Sequence, residues 1–171
     1  MQTKLKISHA GFPPMSMGNC RQIISSLVKG DVWRTINGDA VLPEMGREHK
    51  YKTNIYGQDV NSPCFDGISV GSIVGIDCIQ QMWGNSPAES TEAIILKRKP
   101  VEGSVIAVDK NRTFYDLEQI GEKEFILKDG PVPEDVCIGY LPHLDVIITH
   151  LTVNHEEWGN GYKWELEAEE V

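Results

Sequence analysis

Asp145-Val146-Ile147-Ile148-Thr149-His150-Leu151-Thr152-Val153, then Trp158-Gly159-Asn160-Gly161, then Tyr162-Lys163-Trp164-Glu165-Leu166-Glu167, is the stretch that decides the fold. The first block is a long run rich in β-branched residues. The second turns the chain at Asn-Gly. The third alternates Tyr162, Trp164 and Leu166 with Lys163, Glu165 and Glu167. Successive strand side chains point to opposite faces, so this period of two marks a half-buried antiparallel strand. The reading is a hairpin with one apolar face, and Trp164 belongs to the core.

A second Asn-Gly lies earlier. Val32-Trp33-Arg34-Thr35-Ile36 leads into Asn37-Gly38 and out through Asp39-Ala40-Val41-Leu42. Asn-Gly tolerates the two positive φ angles of a type I′ turn, whose twist matches the flanking strands. Tyr51, Thr53 and Ile55 alternate with Lys52 and Asn54, giving a further strand. Residues 70–79 are the most strand-like run, with Ile76 in the core and Gly71 and Gly75 marking a bulge or close backbone approach. Residues 20–28 fit either a short helix or a strand. Short strands are expected at 93–96, 104–108 and 124–128, and helix is plausible only at 115–120.

Antiparallel hairpins with so little helix predict an all-β, mostly antiparallel protein, a β-barrel or β-sandwich with long loops. The 171 residues suit a single β-rich domain, with 97–138 as an inserted β subdomain or extended loop. No apolar run approaches the roughly 20 residues of a membrane helix. The first residues, Met1-Gln2-Thr3-Lys4-Leu5-Lys6, lack the apolar stretch of a signal peptide, so synthesis and folding in a cytoplasm are expected. Cys20, Cys64, Cys78 and Cys137 form no CxxC and read as free thiols, mostly small core residues. The formal net charge of −9 argues against binding driven by phosphate neutralisation, although an acidic surface suits a path along which DNA slides without sticking.

No chemical constellation emerges. His9, His49, His143, His150 and His155 have no metal-ligand spacing, and a strand would project His150 and His155 to opposite faces. Glu165, Glu167, Glu169 and Glu170 read as the solvated face of the terminal strand. Gly67-Ile68-Ser69-Val70-Gly71 matches the nucleophile-elbow pattern but leads into a strand where the elbow needs a helix. Cys78 and Cys137 lie in apolar β-type settings and read as buried. No phosphate-binding loop is present. The expectation is therefore no catalytic residue, no cofactor and no metal. Arg47, Lys50 and Lys52, with Arg34 near them, form a short positive stripe suited to an acidic protein surface.

Several segments, in order, resemble small structural proteins of tailed bacteriophages. They are Trp33-Arg34-Thr35-Ile36-Asn37-Gly38-Asp39-Ala40-Val41, Lys50-Tyr51-Lys52-Thr53-Asn54-Ile55, Phe65-Asp66-Gly67-Ile68-Ser69-Val70-Gly71 and Val74-Gly75-Ile76-Asp77-Cys78-Ile79. Tyr140-Leu141-Pro142-His143-Leu144 and a close on Trp164-Glu165-Leu166-Glu167 extend the resemblance over roughly two thirds of the chain. The chain departs from it between about 97 and 138, where it is longer, and at Trp33, where the family tends to a basic or small residue. The resemblance implies a virion component made in the host cytoplasm. It would act as an oligomeric ring in the tail, neck or baseplate, bound to copies of itself and to neighbouring tail, neck or baseplate proteins. It implies no membrane association and no specific nucleic-acid binding, and no enzymatic residues carry over. Trp33, Arg34, Arg47, Lys50, Lys52, Trp83, Trp158 and Tyr162 are the candidate interface residues. Two alternatives stand beside it: a metal- or carboxylate-dependent hydrolase on a β scaffold, and a carbohydrate-binding β-sandwich with an exposed aromatic platform at Trp83 or Trp158.

Overall fold

A computed structural model describes residues 5–13, 19–27, 33–41, 49–85, 93–128, 136–155 and 161–171. Every regular element among them is a strand. In chain order these are β1 (Lys6–Ile7), β2 (Asn19–Leu27), β3 (Trp33–Arg34), β4 (Ala40–Val41), β5 (Lys50–Asp59), β6 (Ile73–Asp77), β7 (Met82–Asn85) and β8 (Ile94–Ile95). They continue with β9 (Ile106–Val108), β10 (Phe114–Tyr115), β11 (Leu117–Gln119), β12 (Glu124–Leu127), β13 (Cys137–Tyr140), β14 (His143–His155) and β15 (Tyr162–Glu170). All pairings are antiparallel, and the fold is all-β as the alternation demands.

The larger sheet has six strands in the order β1-β6-β14-β15-β5-β2. Its inner face carries Ile55, Val74, Ile76, Leu144, Val146, Ile148, Trp164, Leu166 and Ala168, all buried. Trp164 lies across the neighbouring strand at Gly57, its register partner. A Cβ on Gly57 would fall 2.1 Å from the indole ring, so only glycine leaves room. The indole N–H donates to Asp59 Oδ2 at 3.1 Å, which satisfies a polar group that burial would otherwise strand. Phe12 and Phe65 pack on the same ring, with centroids 5.9 and 5.4 Å away. A bridge between Gly11 and Cys64 holds their two loops side by side.

The sheet curls around this core as a half-barrel. The segment after β6 crosses to β2 at the far end of the sheet. Gln22 Oε1 accepts the N–H groups of Ile79 (2.7 Å) and Gln80 (3.1 Å), while Gln22 Nε2 donates to the buried Thr53 hydroxyl (2.9 Å). Gln80 Oε1 in return accepts the Ile24 N–H at 2.7 Å. These bonds satisfy backbone donors that a continuing strand would otherwise take up.

A second core lies between a four-stranded sheet, β10-β9-β13-β7, and a three-stranded sheet, β11-β12-β8. Ala107, Ile138 and Tyr140 face Ile94, Leu96 and Phe125 across it. Among the described residues, 82–85, 93–128 and 136–140 build this lobe. The chain runs from β13 through Leu141 and the buried Pro142 into β14, crossing between lobes. Residues 99–101 run alongside, with the His143 N–H on Lys99 O and the Val101 N–H on Leu141 O, both 2.8 Å.

Four local expectations change. The Asn37-Gly38 hairpin does not use a two-residue type I′ turn. The Gly38 N–H bonds Thr35 O and the Thr35 N–H bonds Asp39 O, both at 2.9 Å, and only Gly38 has positive φ (87°). This is a type I turn followed by a left-handed residue, the geometry of the three-residue hairpin loop. Residues 115–120 form strands β10 and β11, because pairing with β9 and β12 supplies the backbone partners that a short helix would lack. The strand expected over 70–79 starts only at Ile73, since Gly71 (φ 90°) sits in a turn with the Ser72 N–H on Ser69 O. Of residues 20–28, those to Leu27 are strand, within β2, and Val28 lies outside the described residues.

Glu170 also departs from the solvated face expected of it. Trp164, Leu166, Ala168 and Glu170 share a parity, so Glu170 faces inward beyond the core. Arg98 from the second lobe meets it through Nε and through Nη2 (3.0 Å to Oε2), and also donates to His49 O at 2.7 Å. The guanidinium lies over the Tyr51 ring, 5.3 Å from its centre, and Glu170 Oε2 accepts the Tyr51 N–H at 2.9 Å. The two side chains are 12% and 10% exposed. A paired, multiply bonded charge at this depth joins the lobes, and removing one member strands the other.

Two outcomes follow. Gly57→Ala lowers unfolding stability by about 1–3 kcal/mol through overpacking against Trp164, and adding Trp164→Leu relieves part of that loss; urea denaturation reads both. Arg98→Ala or Glu170→Ala each lose about 3–5 kcal/mol, whereas the paired change Arg98→Met with Glu170→Leu recovers most of it. Equal losses in single and paired variants would remove the joint from the account.

Candidate functional site

The outer face of the four-stranded sheet is apolar. Register puts Trp83, Gly139 and Ile106 on one row and Cys137, Val108 and Phe114 on the next, all turned away from the second core. Trp83 spreads over Gly139, where a Cβ would come within 3.0 Å of its ring. Trp83 is nevertheless 55% exposed and Phe114 71%. A sheet that buries one apolar face and keeps a second one in water has the character of an interaction surface. The rows reach from edge strand β7 to edge strand β10. Trp83 was legible from sequence. Ile106, Val108 and Phe114 were missed, although β-branched residues at both parities of a short strand are a signal of two apolar faces.

The β3–β4 hairpin forms its own two-stranded sheet, and residues 34–39 are all exposed. Arg34 Nη1 donates to Gly38 O at 3.0 Å, holding the cation along the hairpin, and Ile36 at the turn is fully exposed. Two strands alone are marginally stable in water, so such an arm gains from a partner. The side chain of Trp33, and Arg47 and Trp158 entirely, lie outside the described residues. Lys50 and Lys52 share the outer face of β5. Lys52 is engaged within the chain, its Nζ 2.6 Å from Glu167 Oε2, and this hydrogen bond raises its pKa. Tyr162 is half-buried and stacks on its cross-strand partner His155, centroids 4.2 Å apart. Trp83 stands on the four-stranded sheet, Arg34 on the two-stranded hairpin, and Lys50 and Lys52 on the six-stranded sheet.

A cleft of about 860 Å³ opens between the lobes, with Lys6, Asp77 and His143 on one side and Lys99, Glu122 and Phe125 among its other walls. His143 Nδ1 lies 2.6 Å from Asp77 Oδ1, and its Nε2 lies 3.8 Å from Asp145 Oδ1. Lys99 and Glu122 form an exposed ion pair, which raises the pKa of the lysine and lowers that of the carboxyl. Among the described residues no three His, Cys, Asp or Glu side chains converge as metal ligands. His150 and His155 sit on opposite faces, opposite Glu167 and Tyr162. Ser69 Oγ pairs with Ser72 Oγ at 3.1 Å in a turn that leads into β6, without the helix of a nucleophile elbow.

The cysteines divide. Cys78 is buried, and burial pushes its thiol up to about 12; Cys20 is half-buried, and burial followed by the nearby Asp59 raises it to about 11. Cys64 and Cys137 are exposed, so the expectation of a buried Cys137 is corrected: its parity places it on the outer face. In the unassembled chain an aromatic disulfide reagent in mildly alkaline buffer is expected to modify two thiols quickly, Cys64 and Cys137, and the other two only on unfolding. Four equally fast thiols would contradict this burial pattern.

No family model, curated protein or solved structure matches this chain.

Proposed function

We propose that this chain is a bacteriophage virion structural protein, an oligomeric ring component of the tail, neck or baseplate that works by protein–protein assembly without chemical turnover. The observation that carries the reading is the apolar outer face of the four-stranded sheet, where Trp83 and Phe114 are exposed. Aromatic side chains of that size serve as anchors when a partner desolvates them. The exposed β3–β4 arm supports the same reading, since among the described residues its two strands pair only with each other and leave their outer edges to a neighbour. The ordered series of segments from Trp33 to Ile79 and from Tyr140 to Leu166 supplies the phage context. A net charge of −9 suits a particle wall that DNA passes without adhering.

Purified particles from an infected culture test this directly. Quantitative peptide mass spectrometry is expected to find the chain in virions at a fixed ratio to the other tail, neck and baseplate proteins. Recovery from the soluble lysate alone, with none in particles, would end the proposal.

A further inference from the structure

We propose that Asn37 is a site of spontaneous covalent modification, in which its side-chain amide closes onto the Gly38 nitrogen whenever the β3–β4 hairpin opens. Asn37-Gly38 stands at the tip of that hairpin, where residues 34–39 are all exposed. Among the described residues the Asn37 carboxamide has no hydrogen-bond partner, and nothing lies within 4 Å of where a Cβ on Gly38 would stand. Asparagine is a thermally labile residue, and a following glycine puts no side chain in the way of ring closure. The other Asn-Gly is at 160–161. Asn160 lies outside the described residues, but Gly161 is packed so closely that a Cβ would fall 2.4 Å from Asp59 O. Open space thus favours the first pair.

The chemistry needs only water. Hydroxide takes the Gly38 N–H proton, and the nitrogen bonds to Asn37 Cγ. The bond from Cγ to Nδ2 breaks, and ammonia leaves with a proton from water, which restores hydroxide. Water then opens the cyclic imide. Attack at Cγ gives aspartate, and attack at the backbone carbonyl gives isoaspartate.

The folded hairpin holds the nucleophile back. The Gly38 N–H donates to Thr35 O at 2.9 Å, and the nitrogen cannot reach Cγ until that bond opens. Three more bonds keep the loop closed: the Thr35 N–H on Asp39 O (2.9 Å), the Asp39 N–H on Thr35 Oγ1 (3.1 Å) and Arg34 Nη1 on Gly38 O (3.0 Å). Behind them stand only two register pairs, Trp33 with Val41 and Arg34 with Ala40. A two-stranded sheet of that length is marginal in water, so local opening is frequent and sets the rate. Isoaspartate then adds a methylene to the main chain inside the loop that these bonds close. The N–H and C=O groups lose their register, and no step restores asparagine.

The full-length chain, held in warm, mildly alkaline buffer and sampled over days, provides the test. Tryptic peptides are read by mass spectrometry, with electron-transfer fragmentation to tell isoaspartate from aspartate. Cleavage after Arg34 and Arg47 leaves Asn37 as the only asparagine of its peptide. That peptide is expected to pass through a species lacking ammonia and to end as a mixture of aspartate and isoaspartate. It should change ahead of the peptide carrying Asn160, and more slowly than in urea, where no hairpin holds the nitrogen. Arg34→Ala and Thr35→Val each remove one bond that closes the loop and should speed the reaction by about two- to tenfold. Circular dichroism melts confirm that both variants fold. An unchanged Asn37 peptide, or Asn160 reacting first, overturns the proposal. A folded rate equal to that in urea, or rates unmoved by both variants, overturns it too, because the hairpin then holds nothing back. None of these outcomes bears on the virion reading, which presence in particles decides.

Discussion

The Trp164 indole lying over Gly57 is the constraint on which the larger lobe depends. It joins β15 to β5 through packing, and through Asp59 it converts the one polar atom of the ring into a tie along the same strand. The aromatic group needs a neighbour with no side chain, and the glycine needs cover for a bare stretch of backbone. Phe12 and Phe65 then reach this ring from loops that have no strand to hold them. The interior at this end is thus organised by aromatic edges and faces, while aliphatic strand residues fill the rest.

The closing of the half-barrel and the joining of the lobes use polar chemistry instead. Gln22 and Gln80 exchange side-chain oxygens for backbone N–H groups across the gap where the sheet ends meet. Arg98 crosses to Glu170 at the end of β15 and reaches His49 as well. Both devices are satisfied within the chain, which matches the absence of any unpartnered buried side-chain polar atom among the described residues. They hold elements in register where apolar packing alone would allow sliding. Apolar surface left uncovered lies instead outside, around Trp83 and Phe114 on one lobe and Ile73 and Ile147 on the other. This division between a saturated interior and apolar exterior patches is the physical basis on which assembly is proposed.

By itself the sequence determined the all-β class, because strand alternation at Tyr162–Leu166 and Tyr51–Ile55 is a local property of side-chain direction. It determined the inward places of Trp164 and Ile76 for the same reason. It also contained the parity of Glu170 and of Cys137, although charge in one case and an apolar neighbourhood in the other pointed away from the positions that alternation requires. Tertiary structure alone decided what those positions meet. Arg98 is 72 residues from Glu170, and Gln22 is 57 from Ile79. No local pattern encodes such distances, because strand order depends on how whole sheets bury their faces. Tertiary pairing also turned residues 115–120 from plausible helix into strand and gave the Asn37-Gly38 hairpin its wider turn. The candidate interface was legible only at Trp83. Its companions Ile106, Val108 and Phe114 become a surface through cross-strand register, which brings residues distant in the chain onto one face and leaves that face to the solvent.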